Sequence, residues 1–211
     1  MGSEEILNKI RSGAKGLVIL GLVIALAPAI IIFCMVLTGK LGGNIPLVII
    51  FGILSGIGIV VMVLNMKIMS DPRQSSTIKN NPHLLDMADE LCSNLIYKDN
   101  ILMFSERLIA NVLDMRQISY TDEIFLIYVY IHRTNGVVDQ KLLRLETARN
   151  QTIGLNVYRM KDDEINNLIN NVVQHCRYAR VGYNDAGFAY LKQMRELWKQ
   201  DQARKNMPYG Q

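Results

Sequence analysis

Two almost unbroken apolar runs, residues 17–37 and 45–66, occupy the first third of the chain, and the residues beyond them alternate between apolar and polar. At about 1.5 Å of rise per residue, a helix over either run spans the ~30 Å hydrocarbon core of a bilayer. Between Leu17 and Met66 the one formal charge is Lys40. The apolar region of a secretory leader is about 7–15 residues, shorter than the first run. The second run follows almost at once. The pattern therefore predicts a hairpin of two membrane helices joined by TGKLGGN, residues 38–44, after a tail over residues 1–16.

Each run carries small residues at helical spacing. Gly21, Ala25 and Ala29 recur every four residues in the first, and Gly52 and Gly56 do so in the second, with Ser55 and Gly58 beside them. Lipid gives helices no hydrophobic reason to associate, so close approach over small residues holds them together. These positions are expected to pack the two helices of the hairpin on each other, with contact to another chain as the alternative use. Pro28 lies mid-span and removes one backbone hydrogen bond. Neither span contains an ionisable group, which argues against a transporter or a channel. Lys9, Arg11 and Lys15 precede the first span, Lys67, Arg73 and Lys79 follow the second, and Lys40 alone lies between. By the positive-inside rule this predicts a two-span protein of the cell membrane with both termini cytoplasmic and Lys40 outside.

The rest reads as one α+β domain over residues 82–199, after a polar linker over 67–81 and before a disordered tail over 200–211. A helix is expected from Asn81-Pro82, with Leu84, Leu85, Ala88, Leu91, Cys92 and Leu95 on one face. Strands are expected over 101–105, 108–112, 117–120 and, most strongly, 124–133, which reads IFLIYVYIHR. Asn135-Gly136 is a hairpin signal, because a type I′ turn needs positive φ at both central residues. A regular return strand over 142–147 would then set Tyr128 opposite Leu143 and Leu126 opposite Leu145. Ile153, Leu155 and Val157 alternate in a further strand over 152–157. Residues 162–176 form the clearest amphipathic helix: Ile165, Leu168, Ile169, Val172, Val173 and Cys176 on one side, Asn166, Asn167, Asn170, Asn171 and Gln174 on the other. A final helix is capped at Asn184 or Asp185 and runs to about Lys199.

Hairpin-joined strands closed by an amphipathic helix resemble the pleckstrin-homology-like domains of bacteria. The likeness covers roughly residues 97–177 and rests on Asn135-Gly136, the ISYTDEIFLIYVYIHR stretch and the helix beginning DDEINNLINNVV. The whole chain is also similar to uncharacterised small membrane proteins of bacteria. That likeness implies a cytoplasmic antiparallel-sheet domain and no activity. The helices before and after the sheet are additions to a minimal domain of this type.

From Lys67 onward, 19 Lys and Arg face 17 Asp and Glu. A balance of +2 from those counts gives no basic stripe for nucleic acid. The three cysteines, Cys34, Cys92 and Cys176, form no CxxC and suit buried thiols in a reduced compartment. No nucleotide, hydrolase or zinc-protease motif occurs. His175 and Cys176 are adjacent on a helix and point about 100° apart, a poor metal pair. The carboxylates are scattered, with no acid–base pair in separated environments. No cofactor, metal, catalytic residue or small-molecule substrate is expected. Tyr128, Tyr130 and His132 share one face of the strong strand. They are read as covered by a flanking helix or, alternatively, as an interaction surface together with Asn167 and Asn170. The expectation is a non-enzymatic module that binds a protein partner, itself or lipid head groups. The alternative is an accessory subunit of a secretion or transport assembly, engaged through the membrane helices.

Overall fold

A computed structural model describes residues 2–39 and 45–205. The turn residues 40–44, Lys40 among them, and residues 206–211 lie outside the described residues. The chain divides into a helical unit, Ser3–Leu85, and a mixed unit, Asp86–Gln211 with Met1–Gly2.

In the helical unit, α1 (Gly2–Leu37) and α2 (Ile45–Ser70) are both long and apolar enough to cross a membrane. The stretch read as an N-terminal tail is helical from Gly2. Gly21 and Gly58 make the closest approach of the two helices. A Cβ on Gly21 would sit 2.9 Å from the Gly58 carbonyl oxygen, and one on Gly58 would sit 2.5 Å from the Ala25 nitrogen. At the same level the Ser55 hydroxyl donates to the Ala25 carbonyl at 3.0 Å. The four-residue spacing misleads beyond this point. Four residues advance a helix by about 400°, so each step drifts about 40° from the contact line. In α1 the buried line is Gly21, Ala25 and Pro28, and Ala29 is exposed. In α2 it passes through Ser55 and Gly58, and added Cβ atoms at Gly52 and Gly56 would meet nothing within 4 Å. Ala29, Gly52 and Gly56 thus do not pack the hairpin.

The polar stretch expected to be a linker is ordered. Asp71 accepts from the Arg73 N–H and caps a 3-10 turn over Pro72–Gln74. Ser75 accepts from the Ile78 N–H and caps α3 (Ser76–Asn80). α4 (Leu84–Ser93) runs across the division between the units and begins two residues after Pro82.

Among the described residues the mixed unit holds two four-stranded sheets. β1 (Tyr97–Lys98), β2 (Leu102–Phe104), β3 (Leu108–Asn111) and β4 (Ile118–Tyr120) form an antiparallel meander. The second sheet has the order β7-β6-β5-β8, from β5 (Ile124–Thr134), β6 (Val137–Thr147), β7 (Thr152–Asn156) and β8 (Arg180–Val181). α5 (Asp162–His175) precedes β8, and α6 (Asp185–Lys205) ends the described chain, six residues beyond the expected Lys199.

The Asn135-Gly136 turn forms as expected, with φ of 52° and 80°. The expected register does not. Tyr128 lies opposite Arg144, and Leu126 opposite Glu146. The shift arises between His132 and Arg133, where β6 carries an extra residue, Asp139. Its carboxylate is held by the Thr134 hydroxyl and by His132 Nδ1, the latter at 2.8 Å. A bulged residue displaces every later pair by one, and without it the leucines of β6 would face the wrong side. As it is, Leu143 and Leu145 share a face with Val129 and Ile127.

That face meets α5. Ile127, Leu143, Leu145, Ile153 and Leu155 pack with Ile165, Leu168, Val172 and Cys176, and Leu102, Phe104 and Ile109 of the first sheet close the same core. The amide face of α5, including Asn167 and Asn170, is exposed. The two sheets also meet through side chains on β7. The Asn111 amide donates to the Gly154 carbonyl at 2.8 Å, and the Gln117 side-chain oxygen accepts from the Gly154 N–H at 2.9 Å.

Candidate functional site

The opposite face of the second sheet holds the tyrosines, and α6 lies on it. Leu126, Tyr128, Leu191, Tyr190, Met194 and Trp198 form a second apolar cluster there. Tyr128 is buried, with the rings of Tyr183 and Phe188 at 5.0 and 5.6 Å. Its hydroxyl donates to Glu146 Oε1 at 3.0 Å. Burial raises the Tyr128 phenol above its ordinary pKa, so it is a neutral donor. Tyr128 is therefore a core residue and not part of an accessible surface.

Glu146 is the polar centre of this face. Its Oε2 accepts from the Thr152 hydroxyl and from Arg195 of α6, each at 3.1 Å. Arg195 Nε also donates to the Thr147 carbonyl at 2.9 Å. A second clamp joins Arg149 to Glu123 through both carboxylate oxygens, with the guanidinium 5.9 Å from the Trp198 ring. These carboxylates are spent on docking α6. Neither signal was found in the sequence, because Glu146 and Arg195 are 49 residues apart and no local spacing links them.

Toward the hairpin tip the face opens. Tyr130 is half-buried under the Arg144 guanidinium, 4.0 Å from the ring centroid. His132 is exposed and bonded to Asp139. Nearer the start of β5, where Arg180 lies opposite Leu126, its guanidinium is 3.9 Å over the ring of Tyr190. Tyr183, against Tyr128, is 62% exposed, and on the other face of β5 Ile131 is 46% exposed. The structure thus brings Tyr130 and His132 to an accessible aromatic and arginine surface. It leaves Asn167 and Asn170 on a separate face of α5.

Elsewhere in the mixed unit, a groove of about 910 Å³ is lined by Asp99, Leu113, Asn156, Tyr158, Arg159 and Glu164 among others. Its inner carboxylates hold backbone. Asp99 accepts from the N–H groups of Ile101 and Leu102 at 2.7 Å each, and Glu164 from that of Lys161 at 2.8 Å. Cys176 is buried, and desolvation, then the charge of Asp122, pushes its thiol up to about 12. A thiol so placed is not a nucleophile at neutral pH. His175 bonds the Asn171 carbonyl at 2.8 Å and lies 4.3 Å from the Phe104 ring. Among the described residues no group of three or more His, Cys, Asp or Glu side chains is placed to hold a metal ion.

No family model, curated protein or solved structure matches the chain.

Proposed function

We propose that the chain is a membrane-anchored, non-catalytic interaction module. In this reading α1 and α2 cross the cell membrane and hold the mixed unit at the cytoplasmic face, where it binds a protein partner, itself or lipid head groups. The flanking cations favour that orientation, with three on each terminal side and Lys40 alone between the spans. A pleckstrin-homology-like architecture is part of the proposal. It is supported by two sheets closed by α5 in the expected order, with α4 before them and α6 after.

The observation that carries the reading is the division of labour among the polar groups. Glu123, Glu146, Asn111 and Asp99 all hold the fold together. What faces outward on the tyrosine side is instead a set of rings and arginines, Arg144 over Tyr130 and Arg180 over Tyr190, without carboxylate partners among the described residues. Arginine and tyrosine are the side chains that carry interface energy.

A second reading engages partners through the membrane helices, and the open Gly52 and Gly56 face of α2 favours it. Photo-crosslinking residues placed in the full chain, in membranes, at Tyr183, Asn170 and Gly56 test the two together. Conjugates from Tyr183 or Asn170, mapped by mass spectrometry, support the module. Conjugates from Gly56 alone transfer the function to the helices. Turnover of a small molecule by the purified chain would overturn both.

A further inference from the structure

We propose that the open edge of β5, from Val129 to Arg133, binds an acidic extended segment of a partner protein as an added strand. The proposal rests on the reading of the chain as an interaction module and names the class of its partner. Its first support is the length mismatch between β5 and β8. β8 pairs only with Leu126 and Ile127, and the Gly182 N–H then donates to the Ile127 carbonyl at 3.0 Å. β5 continues for seven more residues, to Thr134, and among the described residues no strand pairs with it on that side. Backbone groups alternate sides along a strand. Val129, Ile131 and Arg133 therefore present their N–H and C=O groups to the same side as Ile127.

The second support is the lack of protection. Edge strands are normally blunted by proline, by inward charge or by a bulge on the edge itself. The open segment, residues 129–133, reads VYIHR, with no proline and Arg133 as its one formal charge. Of the two register shifts in this hairpin, one leaves Asp139 of β6 unpaired and the other falls at Phe125 of β5, so neither puts an extra residue into β5 between Val129 and Arg133. Alternate side chains of an added strand would meet Tyr183 and Phe188 on one face and Ile131 on the other, and all three are exposed.

The third support is charge, and it selects the occupant. On β5, β6 and β8 the carboxylates are Asp139 and Glu146, and both are engaged, by His132 and Thr134 and by Tyr128, Thr152 and Arg195. Lys141 is taken by Asp162. Among the described residues Arg133 on the open segment, Arg144 over the Tyr130 ring and Arg180 over the Tyr190 ring have no carboxylate partner. A second copy of β5 laid on the same edge would set like charges against one another, which costs energy in cross-strand pairs. An acidic strand neutralises them, and the backbone ladder adds affinity that does not depend on its sequence.

The test uses the full chain in nanodiscs of zwitterionic lipid. The probes are a decapeptide of alternating Glu and Val, its Lys–Val counterpart, and the Glu–Val peptide N-methylated at alternate residues. Calorimetry should show the acidic peptide binding about tenfold more tightly than the basic one, with the preference shrinking as salt rises. N-methylation should abolish binding. Ile131→Pro should also abolish it, since the lost N–H faces the open edge and not β6. Arg133→Glu with Arg180→Glu should reverse the preference. Equal affinity for both peptides, or unchanged affinity after N-methylation, overturns the proposal even if Ile131→Pro fails to fold. So does self-association through this edge. Absent peptide binding, with crosslinked partners mapping to Asn170, also overturns it, yet leaves the interaction-module reading in place.

Discussion

Replacing Arg195 by Met should release α6 from the sheet while sparing most of its packing. Methionine keeps an apolar stem of similar length, so the loss is that of the guanidinium. Arg195 and Glu146 side chains are 19% and 12% exposed and 3.1 Å apart. Breaking a fully buried pair by removing one partner costs about 3–5 kcal/mol. Here Glu146 keeps two donors, Tyr128 and Thr152, and both partners retain some contact with water. The Thr147 carbonyl loses its side-chain donor as well. A loss of about 2–3 kcal/mol follows. For a domain of this size that lowers Tm by about 8–12 °C. Trp198 is the single tryptophan of the chain and lies in the α6 cluster, so its fluorescence reports undocking directly. Glu146→Gln in the Arg195→Met background removes the uncompensated charge and should recover part of the loss. If Trp198 melts in the Arg195→Met chain as in the parent, the clamp is not what holds α6.

Val172→Asp places a charge without a partner at a fully buried position of α5 and should cost several kcal/mol, enough to unfold the mixed unit. Asn170→Ala, on the exposed face, should gain a few tenths of a kcal/mol, and thermal melts separate the two. Gly58→Leu should splay α1 from α2, read as loss of a disulfide engineered between them, whereas Gly56→Leu should leave that disulfide intact. Asp139 is held below its ordinary carboxylate range by the Thr134 hydroxyl and then by His132. A depressed carboxylate supports the fold above its unfolded pKa, and that support is lost as pH falls through the depressed value. Hydrogen exchange at residues 133–138, corrected for its intrinsic pH dependence, should be steady near neutrality and rise below about pH 4. Asp139→Asn should remove the step.

The elements were largely legible in the sequence, and their relations were not. The Asn135-Gly136 turn, the amphipathic α5 and the two apolar runs declare themselves through local chemistry. Asp139 does not, because nothing in VVDQK marks which residue of β6 will bulge. One uncounted residue moved Tyr128 from Leu143 to Arg144. β8 was missed for a similar reason. Two residues are too few to show a period, and Arg180–Val181 are recruited by the neighbouring β5. In α2, the GxxxG spacing of Gly52 and Gly56 was legible, but the contact line passes through Gly58, about 200° round the helix from Gly56. The 71–75 caps were present in SDPRQSST and were outweighed by its polarity.

The segment after α5 decides which part of the tyrosine face is available. Gly182, at φ 138°, turns the chain from β8 into α6, a backbone conformation that a Cβ disfavours. Gly187 then sits close to the sheet, where a Cβ would be 2.9 Å from the Gly182 carbonyl and 3.1 Å from Leu126. The two glycines together set α6 down over Leu126 and Tyr128, and the Glu146–Arg195 clamp fixes it there. Coverage ends where β8 ends, at Ile127, and β5 continues beyond it with Tyr130, Ile131 and Arg133. The same device that buries the apolar half of the face therefore leaves Tyr130, with the Arg144 guanidinium over it, and the backbone edge open. Gly187→Val should expose the difference: by lifting α6 it should lower the Trp198 transition and uncover Tyr128, while the β5–β6 hairpin, held by its own ladder and by α5, keeps its hydrogen-exchange protection. Loss of protection in both together would mean that α6 and the hairpin form one cooperative unit, and that the edge cannot be considered apart from the helix beside it.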